Sequence, residues 1–289
     1  MATNFIKHRD RHDIIMQRLD LIETQYEKLP PGIYSSYDIS VPFQPTAISL
    51  SPVTLKEDLI KFKTGAISTV IDKCTHFFSP NVTAMYKQMG VAHKMGILMY
   101  GPPGTGKTCT VQLIMSELVR DFNAVCIDFT GDNPDWIKLV CHKIRDIQDN
   151  PIVIFLDEAE NSLHGKEEKF LAFLDGTESI DKSIFIGCTN FFNKIPKRIR
   201  ERRSRIKLAI EIKALPIEVY KDYIRSKMPH ITDRELSKFA YLAEENALTI
   251  DELKHAVIDH CIDCVPVDKA IKTVKEYSKQ DNWSNEDDY

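Results

Sequence analysis

Residues 101–108 read Gly101-Pro102-Pro103-Gly104-Thr105-Gly106-Lys107-Thr108, with Cys109 next in line. This is the spacing G-x-x-x-x-G-K-[ST]. Glycines in such a loop let successive backbone N–H groups turn inward around a polyanion, where side chains would block the approach. On that chemistry residues 101–109 line the phosphates of a nucleotide, Lys107 neutralises β- and γ-phosphate oxygens, and the Thr108 hydroxyl sits on Mg²⁺. The context fits the pattern. An apolar run at 97–100 reads as a strand, and Val111, Ile114, Met115, Leu118, Val119 and Phe122 recur at three and four, one face of a helix. The N-terminus of that helix adds partial positive charge where phosphate would lie.

A second group of residues lies fifty positions further on. The apolar run Ile152–Leu156 opens into Asp157 and Glu158. Beside the loop strand, Asp157 would hold Mg²⁺ directly or through water, and Glu158 would orient and deprotonate an attacking water. Adjacent acids also occur as an ordinary solvated strand end, so the pair takes its meaning from the loop.

These residues need a scaffold. The chain has 289 residues, 43% hydrophobic and 28% charged, which excludes collagen-like, disordered and disulfide-scaffold classes. No apolar stretch reaches bilayer-spanning length, and 1–9 lacks the apolar segment of a signal peptide. Seven Cys without an export signal read as reduced thiols, giving a cytoplasmic expectation. A net charge of −4 makes the whole chain a poor electrostatic nucleic-acid binder. Strand-sized runs at 96–100, 125–129, 152–156 and 183–189 alternate with helical patterns, as a parallel sheet covered on both faces requires. After Pro216 only helical patterns remain, ending near Gln280, and the acidic stretch 281–289 reads as disordered.

Upstream, 8–29 has the spacing of a polar helix. Ile15, Leu19, Ile22, Tyr26 and Leu29 form a coiled-coil-like seam over about two heptads, either packed on the body or pairing with a second copy, and Pro30 and Pro31 stop it. The stretch 33–54 reads as a small accessory element and linker.

Taken in order, Gly101 to Thr108, Leu156-Asp157-Glu158, Phe173-Leu174-Asp175-Gly176 and Ile186-Gly187-Cys188-Thr189-Asn190 resemble the AAA+ ATPases, particularly the AAA family in the narrow sense. The resemblance covers roughly 66–263. It implies an α/β P-loop fold with a parallel core of about five strands and a small C-terminal helical lid. The organisation expected is 1–64 as N-terminal helix plus accessory element or linker, 65–212 as ATPase core, 213–279 as lid and 280–289 as tail. It further implies Mg²⁺-dependent ATP hydrolysis carried by Lys107, Asp157, Glu158 and Asn190, the last at the position that helps place the lytic water. An arginine is expected to reach the neighbouring subunit's nucleotide. Counting back from Pro216, Arg205 is the better match and Arg202 the second, and the resemblance implies a homo-oligomer, usually a hexamer.

Three departures shape the functional expectation. The further arginine often found three places on is Leu208. Asp251 stands where many relatives have a lid arginine, and is expected to cap a helix or face away. The stretch Phe129-Thr130-Gly131-Asp132-Asn133-Pro134-Asp135-Trp136 lacks the aromatic–aliphatic pair of protein-threading members. The favoured reading is an oligomer that remodels or moves a protein complex, with a protein substrate or adaptor. Its alternatives are a DNA-linked ATPase, helicase- or clamp-loader-like, using the basic residues of 194–207, and a non-hydrolytic ATP-gated scaffold. His260-Cys261-Ile262-Asp263-Cys264 lacks a second ligand pair at zinc-finger spacing, so no further metal is assigned.

Overall fold

A computed structural model describes residues 3–8, 11–16, 28–38, 47–54, 60, 65–129, 134–175, 179–212 and 215–283. Two compact units divide them, one of Met1–Leu59, Val70–Tyr100 and Thr108–Ile210, the other of Ile60–Thr69, Gly101–Lys107 and Glu211–Tyr289.

Among the described residues the first unit is built on a sheet of nine strands: β1 (Thr3–His8), β2 (Arg11–Met16), β3 (Gly32–Asp38), β4 (Ala47–Pro52), β5 (Lys94–Tyr100), β6 (Val125–Phe129), β7 (Ile152–Leu156), β8 (Ser183–Thr189) and β9 (Leu208–Glu211). Their order is β1-β2-β4-β3-β6-β7-β8-β5-β9. The pairs β3–β6, β6–β7, β7–β8 and β8–β5 are all parallel, so five consecutive strands share one direction. β7 and β8 are buried along their whole length, as a strand with both faces covered must be. Helices α1 (Gly65–Phe77), α2 (Pro80–Met89), α3 (Lys107–Phe122), α4 (Pro134–Ile147), α5 (Ala159–Leu163), α6 (Glu167–Asp175) and α7 (Lys197–Arg200) connect them.

One face of the sheet, with Val125, Ile127, Phe129, Ile152, Ile154 and Leu156, packs on Ile137, Val140, Cys141 and Ile144 of α4. Trp136 packs against this same core. The other face carries Cys126, whose thiol donates to the Met115 carbonyl of α3 (3.8 Å).

The N-terminal region differs from the sequence expectation. Residues 11–16 of the expected helix form β2, paired antiparallel with β1 and β4; 17–27 lie outside the described residues. A two-heptad seam supplies little cooperative helix stability. The β-branched Ile14 and Ile15, with a partner strand on each side, favour the sheet. In the 33–54 stretch, expected as a small accessory element and linker, β3 adds a parallel strand to the sheet and β4 pairs antiparallel with β3, while 39–46 lie outside the described residues. Buried Gln148 anchors this addition. Its side chain accepts from Leu29 N (2.7 Å) and donates to Leu29 O (3.1 Å).

On the opposite side β9 lies next to β5. Just before it, Lys207 N donates to the Gly96 carbonyl at 2.8 Å. Only glycine fits at 96, where a Cβ would stand 1.8 Å from the Arg205 carbonyl oxygen.

The second unit contains α8 (Ile217–Lys227), α9 (Asp233–Glu245), α10 (Ile250–Cys261) and α11 (Val267–Trp283). Its core includes Tyr220, Ile224, Phe239, Leu253 and Ala256. Capping boxes start α9 (Thr232, Glu235) and α10 (Thr249, Glu252). α11 runs three residues past the expected end at Gln280, and 284–289 of the expected tail lie outside the described residues. Among the described residues no helix is long and apolar enough to cross a membrane.

Candidate active site

The loop 101–107 groups with the helical unit. Gly101, Gly104 and Gly106 have φ of 150°, 73° and 87°. At Gly104 the left-handed backbone coincides with a close approach, since a Cβ there would lie 3.0 Å from Thr249 Oγ1 and 3.3 Å from Asp251 Cβ. The Asp251 N–H donates to the Gly104 carbonyl (3.2 Å), so the first turn of α10 fixes that peptide. Asp251 is not the cap of α10. Thr249 is, its hydroxyl accepting from Glu252 N, while the Asp251 carboxylate is exposed, 4.0 Å from His255 Nε2.

Lys107 is buried. Its Nζ donates to the carbonyls of Gly101 (2.8 Å) and Pro102 (2.7 Å), and the Thr105 hydroxyl donates to Pro102 O (2.9 Å). The ammonium thus rests on loop carbonyls, weaker acceptors than a phosphate oxygen. Pro102, Pro103 and Cys109 are exposed.

The acid group belongs to the sheet unit. Thr108, the next residue of α3, donates Oγ1 to Asp157 Oδ2 at 2.9 Å. The helix after the loop and the end of β7 therefore meet through an oxygen pair. Glu158 is left-handed (φ 46°, ψ 50°), a conformation costing a non-glycine residue about 1–3 kcal/mol. Its N–H donates to Asp157 Oδ1 (3.1 Å), and Asn161 Nδ2 donates to Glu158 Oε2 (3.1 Å). Sequence reasoning passed over Asn161. Its signal was an amide one helical turn after a candidate base.

Asn190 is exposed and directly follows β8. The pairing of Leu156 with Gly187 and of Tyr100 with Thr189 brings it to the sheet end that carries Asp157 and Glu158. Asp128 of β6 was also passed over. Burial first, and the Asp157 carboxylate second, push its pKa up to about 6.

The basic residues of 194–207 divide into two sets. Arg205 Nε lies 3.4 Å from Asp175 Oδ2, and its guanidinium also donates to the Arg198 carbonyl. Ser204 Oγ donates to the same Asp175 oxygen (3.0 Å). Lys194 lies 4.3 Å from the Phe191 ring, Arg200 4.7 Å from the Phe192 ring, and Lys207 Nζ donates to the Tyr86 hydroxyl (3.3 Å). Lys197, Arg198, Arg202 and Arg203 are exposed. The better-matching arginine is thus engaged within its own chain, and the second match is the accessible one.

His260, in the stretch set aside for metal, has its Nδ1 2.8 Å from the Val265 carbonyl and its ring edge-to-face with Phe239. Thr130, Gly131, Asp132 and Asn133 of the polar loop, and Gly176 after Asp175, lie outside the described residues.

Residues 97–214 match the family described as "ATPase family associated with various cellular activities (AAA)". This segment has the sequence of an AAA-type ATPase domain. Curated AAA+ relatives agree at low identity. An "AAA ATPase forming ring-shaped complexes" of Bifidobacterium adolescentis is 22% identical over 62% of this chain and 40% of its own length. A "Proteasome-associated ATPase" of Mycolicibacterium gilvum is 23% identical over 61% of the chain and 34% of its own length. The "Cell division cycle protein 48 homolog" of Archaeoglobus fulgidus is 26% identical over 60% and 27%. The chain spans half or less of the length of these relatives.

Proposed function

We propose that the protein hydrolyses ATP as a Mg²⁺-dependent AAA+ homo-oligomer, a hexamer by analogy with the family, and uses the turnover to remodel or move a protein complex. The observation that carries the reading is the Thr108–Asp157 hydrogen bond. It sets a hydroxyl and a carboxylate together immediately after a phosphate-type loop. These are hard oxygen donors. That suits Mg²⁺, which keeps waters and takes phosphate oxygens as ligands. When bound, the ion would neutralise phosphate charge and align the β- and γ-oxygens.

The protein's own groups do the rest. Lys107 exchanges its two loop carbonyls for phosphate oxygens. Glu158, oriented by Asn161, accepts the proton of the attacking water. Asn190 helps hold that water. An arginine of a neighbouring copy meets the transferring phosphoryl group, a contribution worth roughly 10³–10⁵ in rate in related enzymes. Accessibility favours Arg202 for this role. The relatives' printed names, ring-shaped complexes and a proteasome-associated ATPase among them, support a protein substrate and a ring. Engagement of Lys194, Arg200, Arg205 and Lys207 within the chain weakens the DNA-linked alternative.

The experiment is phosphate release by the full chain with ATP and Mg²⁺, against Lys107→Ala and Glu158→Gln. The reading expects turnover lost in both, with nucleotide retained by Glu158→Gln. An unchanged rate in Glu158→Gln would favour the non-hydrolytic scaffold.

A further inference from the structure

The parallel pairing of β6 with β7 sets Asp128 opposite Phe155. Side chains alternate along a strand, so Asp128, Phe155 and the position of Asp157 share one face. Cys126, two residues before Asp128, reaches the Met115 carbonyl of α3 on that face. Val125, Ile127 and Phe129 lie in the core on the opposite one. Asp128 is therefore on the α3 side, close to the carboxyl end of its strand. That is the side and the end at which Thr108 of α3 bonds Asp157.

The N-terminal strand reinforces the placement. β3 pairs parallel with β6 and sets buried Ser35 opposite Asp128, and the Ser36 hydroxyl donates to the Asp128 backbone carbonyl at 3.3 Å. Among the described residues no side chain donates to the Asp128 carboxylate. Asp128 and Asp157 thus share one face at the same end of adjacent strands, where a cation or its bound water would offset their repulsion.

We propose that Asp128 is a second carboxylate of the Mg²⁺ site, accepting hydrogen bonds from water on the ion that Thr108 and Asp157 hold. It is a positioning residue, and the inference rests on the nucleotide reading above. Outer-shell carboxylates of this kind typically change metal affinity 10–100-fold when removed.

The test uses the 289-residue chain with Mn²⁺ as the probe. Electron paramagnetic resonance follows free Mn²⁺ during titration of the ATP-loaded Glu158→Gln protein, with and without Asp128→Asn. A fluorescent ATP analogue in EDTA reads nucleotide affinity without metal. The expected result is Mn²⁺ bound about tenfold more weakly in the Asp128→Asn protein, with metal-free nucleotide affinity unchanged or tighter. Asp128→Ser, with a melting curve alongside, gives the same reading should the amide variant fold poorly. Mn²⁺ affinity within twofold of the parent, in a variant that melts normally, overturns the inference. Failure of the parent to bind the nucleotide at all would overturn the nucleotide reading, and this inference with it.

Discussion

Arg205 is held by Asp175 of its own chain, Nε to Oδ2 at 3.4 Å, with only 11% of the arginine side chain exposed. Lys94 joins them, its Nζ 4.0 Å from Asp175 Oδ1 and donating to the Leu174 carbonyl. Removing the guanidinium leaves Asp175, among the described residues, with only the more distant Lys94 ammonium and the Ser204 hydroxyl.

Two arginine variants should therefore separate. Arg205→Ala is expected to destabilise the protein by about 2–4 kcal/mol, read as a lower midpoint in urea. Arg202→Ala should change stability by no more than about 0.5 kcal/mol, as exposed substitutions do. It should nonetheless lower phosphate release at least 10²-fold. Equal, small effects on both readouts would remove Arg202 from the proposed role. Mixing Arg202→Ala with Lys107→Ala protein should restore partial turnover at mixed interfaces.

Asn161 provides a separate test of the acid group. The Asn161→Ala variant should lower kcat about tenfold with KM little changed, because the amide orients Glu158 rather than gripping nucleotide. Parallel loss of kcat and rise of KM would place Asn161 in nucleotide binding instead.

Gly96→Ala should fail to fold or lose more than about 3 kcal/mol. The obstacle is the Arg205 backbone carbonyl at 1.8 Å, which no side-chain rotation relieves. Soluble yield and urea unfolding measure it. A stability near that of the parent protein would mean the 202–207 segment does not lie on β5.

Much of the site was legible because its signals are local. The glycine spacing before α3 and the apolar run ending at Asp157 each fit within one strand–turn–helix unit. The sheet's extension was not. β3 reaches β6 through a pairing far apart in sequence, and the seam of 8–29 satisfies a heptad spacing as readily as it allows a strand at 11–16. Arg205 was legible as a cation of the right position, but its bond to Asp175 depends on the chain's path over Gly96. Asp128 was overlooked because an acid inside an apolar strand signals a site only once the register of β6 against β7 is known.

A pH dependence follows from His93. Its ring is buried between Phe77 and Tyr86, with centroids 4.1 and 4.5 Å away, and its Nε2 lies 2.9 Å from the Phe77 carbonyl. Burial above all holds its pKa below the usual 6.5, outweighing the Phe77 carbonyl and Asp181, which favour the charged ring. The folded state then binds fewer protons than the unfolded one. Stability from this residue is complete above pH ~6.5 and is lost as pH falls below it. Between pH 7 and pH 5 the parent should lose melting temperature relative to His93→Phe, a contribution opposed in both proteins by Asp128, whose raised pKa favours the fold as pH falls. An identical slope would assign the effect to other groups.

Lys107 and Asp157 are proposed to bind and cleave a triphosphate. The decisive measurement of that proposal is single-turnover release of labelled phosphate from ATP with millimolar Mg²⁺. The parent chain should release it, Lys107→Ala should not, and Glu158→Gln should hold ATP uncleaved. A parent chain that neither holds nor cleaves ATP under those conditions would contradict it.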